Sequence, residues 1–305
     1  MSTMSGTCAN LGVGRTVPDA LLPATTAPGL DLYHPSVARV YDFLLGGSAY
    51  WAVDRSFAKR MLDKFPEFRN IARANRTLVN RVVRHLVRLG VRQFVDIGSG
   101  VLSSENTHQI ANEVASDTKV VYVDNDPVAV AHAEILLDRE GDPDRHAVVN
   151  ADLRCPDQLW RQVSSTYLLD RDEPVAVLMF SVLHSLPPQP GDGDPAARLM
   201  TRYRELIPPG SYLGVSHLTN DGVPAELSPK LAVLQRLCDD WHSGRAYCRS
   251  HEAVRALLGD FDLLHPGMVW APEWHPEESA CSVRFPEPSR SVVWAGVGRK
   301  RPAAR

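Results

Sequence analysis

The sequence predicts an α/β fold: a mostly parallel sheet with helices on both faces, a helical cover before the first strand, and a helix-free ending. Three observations predict it. Short, almost wholly apolar runs alternate with helical segments from Gln93 to Ser216, the pattern of strands buried on both faces and joined by helical crossovers. The first run ends in a Gly-x-Gly turn, Gly98-Ser99-Gly100. The last two runs, Phe261 to His265 and Ser291 to Val297, are separated by a loop holding Pro272, Pro276, Pro286 and Pro288, so they predict a hairpin.

Taken in order, residues 1–30 are rich in Ser, Thr, Gly, Pro and Ala and cannot bury enough surface to offset ordering entropy, which predicts a loose tail. Residues 31–90 predict the cover. Val37, Val40, Tyr41, Leu44 and Leu45 recur at helical spacing until Gly46-Gly47 stops the helix. A second helix is expected over Val53 to Phe65, and a third over Glu67 to Leu89, with Ile71, Leu78, Val82, Val83 and Leu86 as its apolar stripe. Residues 91–300 predict the sheet domain. Its strands are expected at Gln93 to Asp96, Lys119 to Asp124, His146 to Asn150, Val175 to Val182 and Ser211 to Ser216, with a helix near Ser104 to Ala115.

Composition narrows the function. The 305 residues carry 33 Lys+Arg against 36 Asp+Glu, a net charge of −3, which removes the general phosphate attraction of a nucleic-acid coat. The longest apolar stretch, Val175 to Phe180, is far too short to span a bilayer. Cys8, Cys155, Cys238, Cys248 and Cys281 lie too far apart for a zinc or redox motif, so no metal site is expected, and a reducing cytoplasm fits them best.

Three strand ends carry chemistry. Phe94-Val95-Asp96-Ile97-Gly98-Ser99-Gly100 runs an apolar strand into an acid and two glycines that let a backbone approach a nucleotide closely. Val120 to Pro127 ends a second strand in Asp124, placed to accept both hydroxyls of a ribose, with Asn125 beside it and Asp126 as the N-cap of a helix opened by Pro127. These two motifs fit NAD and S-adenosylmethionine equally. The third, Val148-Val149-Asn150-Ala151-Asp152-Leu153, adds an acid that can accept an adenine amine and an apolar wall or backbone amide at Leu153. A dinucleotide fingerprint would prefer glycine where Ser103 stands.

With the Asp96-x-Gly98-x-Gly100, Asp124 and Asp152 series in place, the chain resembles class I S-adenosylmethionine-dependent methyltransferases. Pro35 to Gly47, Ala72-Arg-Ala-Asn-Arg76, Arg92 to Gly98, Val121 to Pro127 and Gly296 to Lys300 narrow the resemblance to the actinobacterial methyltransferase family once catalogued as DUF574. The resemblance implies a Rossmann-like seven-stranded sheet with an antiparallel last strand, and S-adenosylmethionine at the strand tips. It also implies an Arg73 or Arg76 clamp on the methionine carboxylate; Arg73 is preferred, because related methyltransferases with an Arg on the same helix use it this way. The chain departs from the family's wording at Ser48-Ala-Tyr-Trp51 and at Val101-Leu-Ser-Ser104, where cover and cofactor should meet.

Methyl transfer from a sulfonium asks the protein mainly to align and desolvate the nucleophile. His184 and His217, just past the fourth and fifth strands, are the candidate bases. Ser181 is expected to touch the cofactor through its backbone, and Tyr41 to close over its methionine end. Trp241, His242, Trp270, Trp274 and His275 are candidate walls of an acceptor pocket. The expected acceptor is a small molecule, with a specialised metabolite in view. Two rivals remain at this stage: an NAD-dependent oxidoreductase, and a non-catalytic binder of S-adenosylmethionine or S-adenosylhomocysteine.

Overall fold

The computed structural model describes residues 31, 33–103, 105–188, 193–240, 246–279 and 283–302. The expected loose tail, Cys8, Ser104, Trp241, His242 and Cys281 lie outside the described residues.

Among the described residues, three helices precede the sheet: α1 (Val37–Leu45), α2 (Ala52–Lys64) and α3 (Phe68–Arg88). Ser36 caps α1 by accepting from the Arg39 amide, and Gly46 ends it in the left-handed region at φ 92°. The alternation that follows is β1 (Gln93–Ile97), α4 (Thr107–Asn112), β2 (Lys119–Asp124), α5 (Pro127–Glu140), β3 (His146–Asn150), α6 (Pro156–Ser165), β4 (Ala176–Phe180), α7 (Pro195–Leu206) and β5 (Tyr212–Leu218). The chain closes with α8 (Ser228–Asp240), α9 (His251–Leu257), β6 (Asp262–Leu263), β7 (Val269–Trp270) and β8 (Val293–Arg299).

The sheet order is β3-β2-β1-β4-β5-β8-β6, with β7 also on β8. The first five strands pair in parallel, and β8 runs antiparallel to β5 and to both short strands. One edge of β8 is taken by β5 along its whole length, so β6 and β7 share the other edge as one interrupted strand. Among the described residues the sheet thus has eight strands in seven positions.

Side chains alternate across this sheet. Phe94, Tyr122 and Leu178 join Leu78, Val82 and Leu86 of α3 on one face. Val95, Val121, Val177 and Val215 meet Leu159 of α6, Tyr203 of α7 and Leu257 of α9 on the other. The two cores hold the carboxyl ends of β1, β2, β4 and β5 along one rim, under α1.

Helix α4 is six residues long, shorter than the sequence suggests, because Asn106 organises the entry: its Oδ1 accepts from the Ser103 amide and its own amide donates to Gln109 Oε1. Cys238 and Cys248 are free thiols, whereas Cys155 is disulfide-bonded. No helix among the described residues is long and apolar enough to cross a membrane, and no cluster there could hold a metal ion.

Candidate functional site

The turn after β1 has no room for a side chain at Gly98, and at Gly100 it is the backbone conformation rather than space that favours glycine. Gly98 and Gly100 take φ of +72° and +65°. A Cβ on Gly98 would lie 2.2 Å from Cγ1 of Val182, just beyond β4, and the atom nearest a Cβ on Gly100 would be Cβ of Ala38 in α1, at 4.0 Å. The turn is therefore wedged against the β4 tip at Gly98 and faces the cover at Gly100.

Acids line the rim beside it. Asp96 is buried and accepts from the Thr107 hydroxyl at 2.6 Å; burial raises its pKa, against the opposing pull of that bond and of Arg76. Asp124 is also buried, and burial raises its pKa too. Its two oxygens accept one backbone N–H each, from Gly100 at 2.7 Å and from Asp126 at 2.9 Å. Asn125 is exposed next to it. Asp126 caps α5 by accepting from the Val128 amide at 2.8 Å and binds the Ser36 hydroxyl, while Arg39 bonds buried Asp54 through Nε at 2.7 Å and lies 3.6 Å from Asp126. These bonds moor α1 to the β2 tip.

Asp152 sits on the same rim but is engaged by its own loop. Arg154 grips it through Nε at 2.9 Å and Nη2 at 2.5 Å, and donates its amide at 2.8 Å. Burial would raise this carboxyl's pKa, yet the Arg154 bonds and charge outweigh it and hold it low. The carbonyl of Leu153 accepts from the Tyr203 hydroxyl at 2.9 Å.

A polar thread joins the cover to the β4 and β5 tips. The Tyr41 hydroxyl donates to the Ala72 carbonyl and accepts from Asn75 Nδ2; Asn75 Oδ1 accepts from the Ser216 hydroxyl at 2.6 Å; and the Ser181 amide donates to Ser216 Oγ at 3.0 Å. Ser181 holds φ +55°, an uncommon conformation for a residue other than glycine. Tyr41 is thus tied down by its hydroxyl rather than poised to close. On α3, Arg69, Arg73, Arg76 and Asn80 form one stripe. Arg69 lies over the Phe43 ring, and Arg76 and Asn80 bond the loop at Glu105 and Asn106. Arg73, between them, is exposed, and its guanidinium has no partner among the described residues.

The two histidines part company. His217 is fully enclosed: its Nδ1 lies 2.7 Å from the Leu218 carbonyl and its Nε2 2.7 Å from Arg249. With both nitrogens engaged it has no lone pair for an acceptor's proton, which corrects the expectation that it acts as a base. Burial, with the neighbouring His184, lowers its pKa to about 3. His184 lies in the short turn 183–185 past β4, two residues beyond the valine that touches Gly98. Its Nδ1 is buried with no partner among the described residues, and burial together with Arg249 lowers its pKa to about 4.

The expected aromatic pocket also divides. Trp270 stacks on Trp294, ring centroids 3.6 Å apart, level with His217 at the β5 tip. Trp274 and His275 instead pack on His85 in the part of α3 that leads down to the start of β1, so they do not belong to the rim. A cavity of about 530 Å³ lined by Trp160, Val175, Pro208 and Lys300 lies at the opposite edge, where β4 and β5 begin. Sequence reasoning missed Asn75, Asp194, Tyr247 and Arg249, since nothing local marks an isolated polar residue whose partners are 32 to 141 positions away.

The family model described as S-adenosyl methyltransferase matches residues 23–301. A crystal structure from Thermobifida fusca YX, provisionally assigned as a methyltransferase, is 34% identical, with 90% of this chain and 98% of that one covered and a TM-score of 0.78. A DUF574 family protein from Streptomyces avermitilis MA-4680 is 31% identical over 88% of this chain and 98% of its own, with a TM-score of 0.77. An O-methyltransferase family protein from Burkholderia thailandensis, 12% identical with a TM-score of 0.50 and 82% and 71% covered, shares the fold. No curated protein matches the chain.

Proposed function

The chain belongs to the S-adenosyl methyltransferase family, and from that membership we propose that it methylates a small organic acceptor held against His184, a specialised metabolite being the class in view. S-adenosylmethionine is the methyl donor this family uses, and the oxidoreductase and non-catalytic readings give way to a methyltransferase.

The residues present fit that donor. The observation that carries the reading is the Gly98–Gly100 turn, which leaves bare backbone between the β4 tip and α1, with the Asp124 carboxylate directly against it. A carboxylate accepts about four hydrogen bonds, and Asp124 is held by the Gly100 and Asp126 amides with a further pull from the Asn125 amide, so accepting capacity remains for a ribose diol. For the methionine carboxylate, Arg73 supplies a fork that is exposed and unpaired among the described residues. Asp152 and Leu153 flank the adenine end; there Asp152 must share its oxygens with Arg154, so Leu153 and Asn125 complete the reading. Ser181 and Tyr41 support the methionine end through the thread to Ser216.

Bound donor supplies a methyl on a sulfonium together with its own leaving group. The chain's part is to seat and dry the acceptor. His184 stays neutral at neutral pH, so its ring always offers a lone pair to an acceptor O–H or N–H. Its low basicity suits it to orienting that hydrogen and receiving it only as the new bond to carbon forms. The balanced charge argues for a small acceptor over a nucleic acid.

Calorimetry with S-adenosylhomocysteine, S-adenosylmethionine and NAD tests the donor. Heat with the first two and none with NAD is expected; heat with NAD alone would end the proposal. Incubating the enzyme and donor with cell extract, and reading by mass spectrometry a methyl gain that Asp124→Ala abolishes, tests the acceptor.

A further inference from the structure

Arg249 is 2% exposed, and every N–H of its guanidinium is used. Nε and Nη2 fork onto the Asp194 carboxylate at 2.8 and 2.6 Å. Nη1 donates to the Leu183 carbonyl at 3.1 Å and to His217 Nε2 at 2.7 Å, and Nη2 also donates to the Leu186 carbonyl at 2.6 Å. Two backbone bonds complete the clamp: the Arg249 amide donates to the Leu218 carbonyl at 3.2 Å, and the Tyr247 amide to the His184 carbonyl at 2.8 Å.

The carbonyls of Leu183 and Leu186 bracket His184, so one buried cation holds the turn that carries it from both sides. The same cation fixes a tautomer. A guanidinium only donates, so His217 Nε2 must be the acceptor and its Nδ1–H must donate to Leu218. His217, neutral and immobile, then stands edge-on to His184 with ring centroids 6.1 Å apart. Among the described residues, the charged and titratable groups facing His184 are Arg249 and His217; Asp194 is the counter-ion of the first.

We infer that Arg249 is a positioning residue for methyl transfer: it clamps the turn 183–185 and the His217 wall so that the His184 ring meets the acceptor in one orientation. This rests on the reading of His184 as the group that touches the acceptor, and it deepens that reading. With its lone-pair nitrogen turned to the acceptor, a fixed, uncharged imidazole selects an acceptor with a hydrogen to offer, an O–H or N–H, over one without.

The test uses the full chain with ¹⁵N-labelled histidine, bound to S-adenosylhomocysteine and titrated by NMR. In the wild type, His217 shows the Nδ1–H tautomer and His184 stays neutral down to pH of about 5. Arg249→Met removes the cation and the clamp. His184 then titrates about one pH unit or more higher, and His217 loses its single tautomer. Arg249→Lys, which keeps the charge but not the fork and guards against a folding failure of Met, leaves His184 near its wild-type titration while blurring the His217 tautomer. Methyl gain in extract falls about 100-fold in His184→Gln and in Arg249→Met, and no further in the double variant. Unmoved histidine signals in an Arg249→Met protein that still binds S-adenosylhomocysteine would overturn the clamp while leaving His184 its role. Full activity of His184→Gln would remove the reading beneath it.

Discussion

Substituting Gly98 by Ala asks the most of the rim. The new methyl would sit 2.2 Å from Val182 Cγ1 and 3.2 Å from its Cβ, on a backbone at φ +72°. The left-handed conformation costs a non-glycine residue about 1–2 kcal/mol, and forcing the turn and the β4 tip apart adds about 1–3 kcal/mol. A loss near 3 kcal/mol lowers the melting temperature of a domain this size by roughly 6–12 °C. Because the displaced atoms are those that border the donor, affinity for S-adenosylhomocysteine should fall at least about tenfold, a loss of about 1.4 kcal/mol. Val182→Ala removes Cγ1, so added to Gly98→Ala it should restore the packing part and leave the backbone part. Scanning fluorimetry and calorimetry on the two single variants and the double variant read both quantities. A wild-type melting temperature and affinity for Gly98→Ala, or a Val182→Ala that adds its own cost instead of relieving the first, would refute the wedge.

Asp96 lies buried with a raised pKa, so its carboxyl contributes stability at low pH, where it is protonated, and that contribution is lost as pH rises through its folded pKa. Asp96→Asn should therefore match or exceed the wild type in urea at pH of about 8, with the advantage shrinking toward pH of about 4; an advantage that grows on acidification contradicts this. Arg39→Met strands Asp54 in the interior and should cost about 3–5 kcal/mol in urea unfolding, whereas replacing both members by apolar residues costs less. His108, whose ring lies 4.6 Å from that of His146, has its pKa lowered to about 4 by burial. The unfolded chain accepts that proton near pH of about 6.5, so stability should drain by about 1.4 kcal/mol per pH unit on acidification between the two values, and less steeply in His108→Gln.

Much of this fold was legible because its strands are signalled locally. Lys119–Asp124 and His146–Asn150 end where their apolar runs end, and Gly46 ends α1 where a left-handed cap is needed. Pairing that depends on distant partners was not legible. The two-residue strands β6 and β7 exist only because β8 offers them an edge, and no window that short carries a period. The site divides the same way. Gly98, Gly100 and Asp124 follow from what a strand tip must do, and Asp126 from its place before a proline. Asp152 and His217 look from sequence like free functional groups, yet Arg154 and Arg249 engage them. Arg154 is two residues from its partner and could have been weighed; Arg249 is 32 residues from His217 and gives no sign.

One arrangement underlies the proposed chemistry: the bare turn and Asp124 seat an adenosine, with the methionine end passing Arg73 toward His184. A crystal structure of the chain with S-adenosylhomocysteine tests it most directly. The predicted density places both ribose hydroxyls on Asp124, the ligand carboxylate on Arg73 and the sulfur facing His184. Ligand density away from the Gly98–Gly100 turn, or a sulfur turned from the β4 tip, would contradict it.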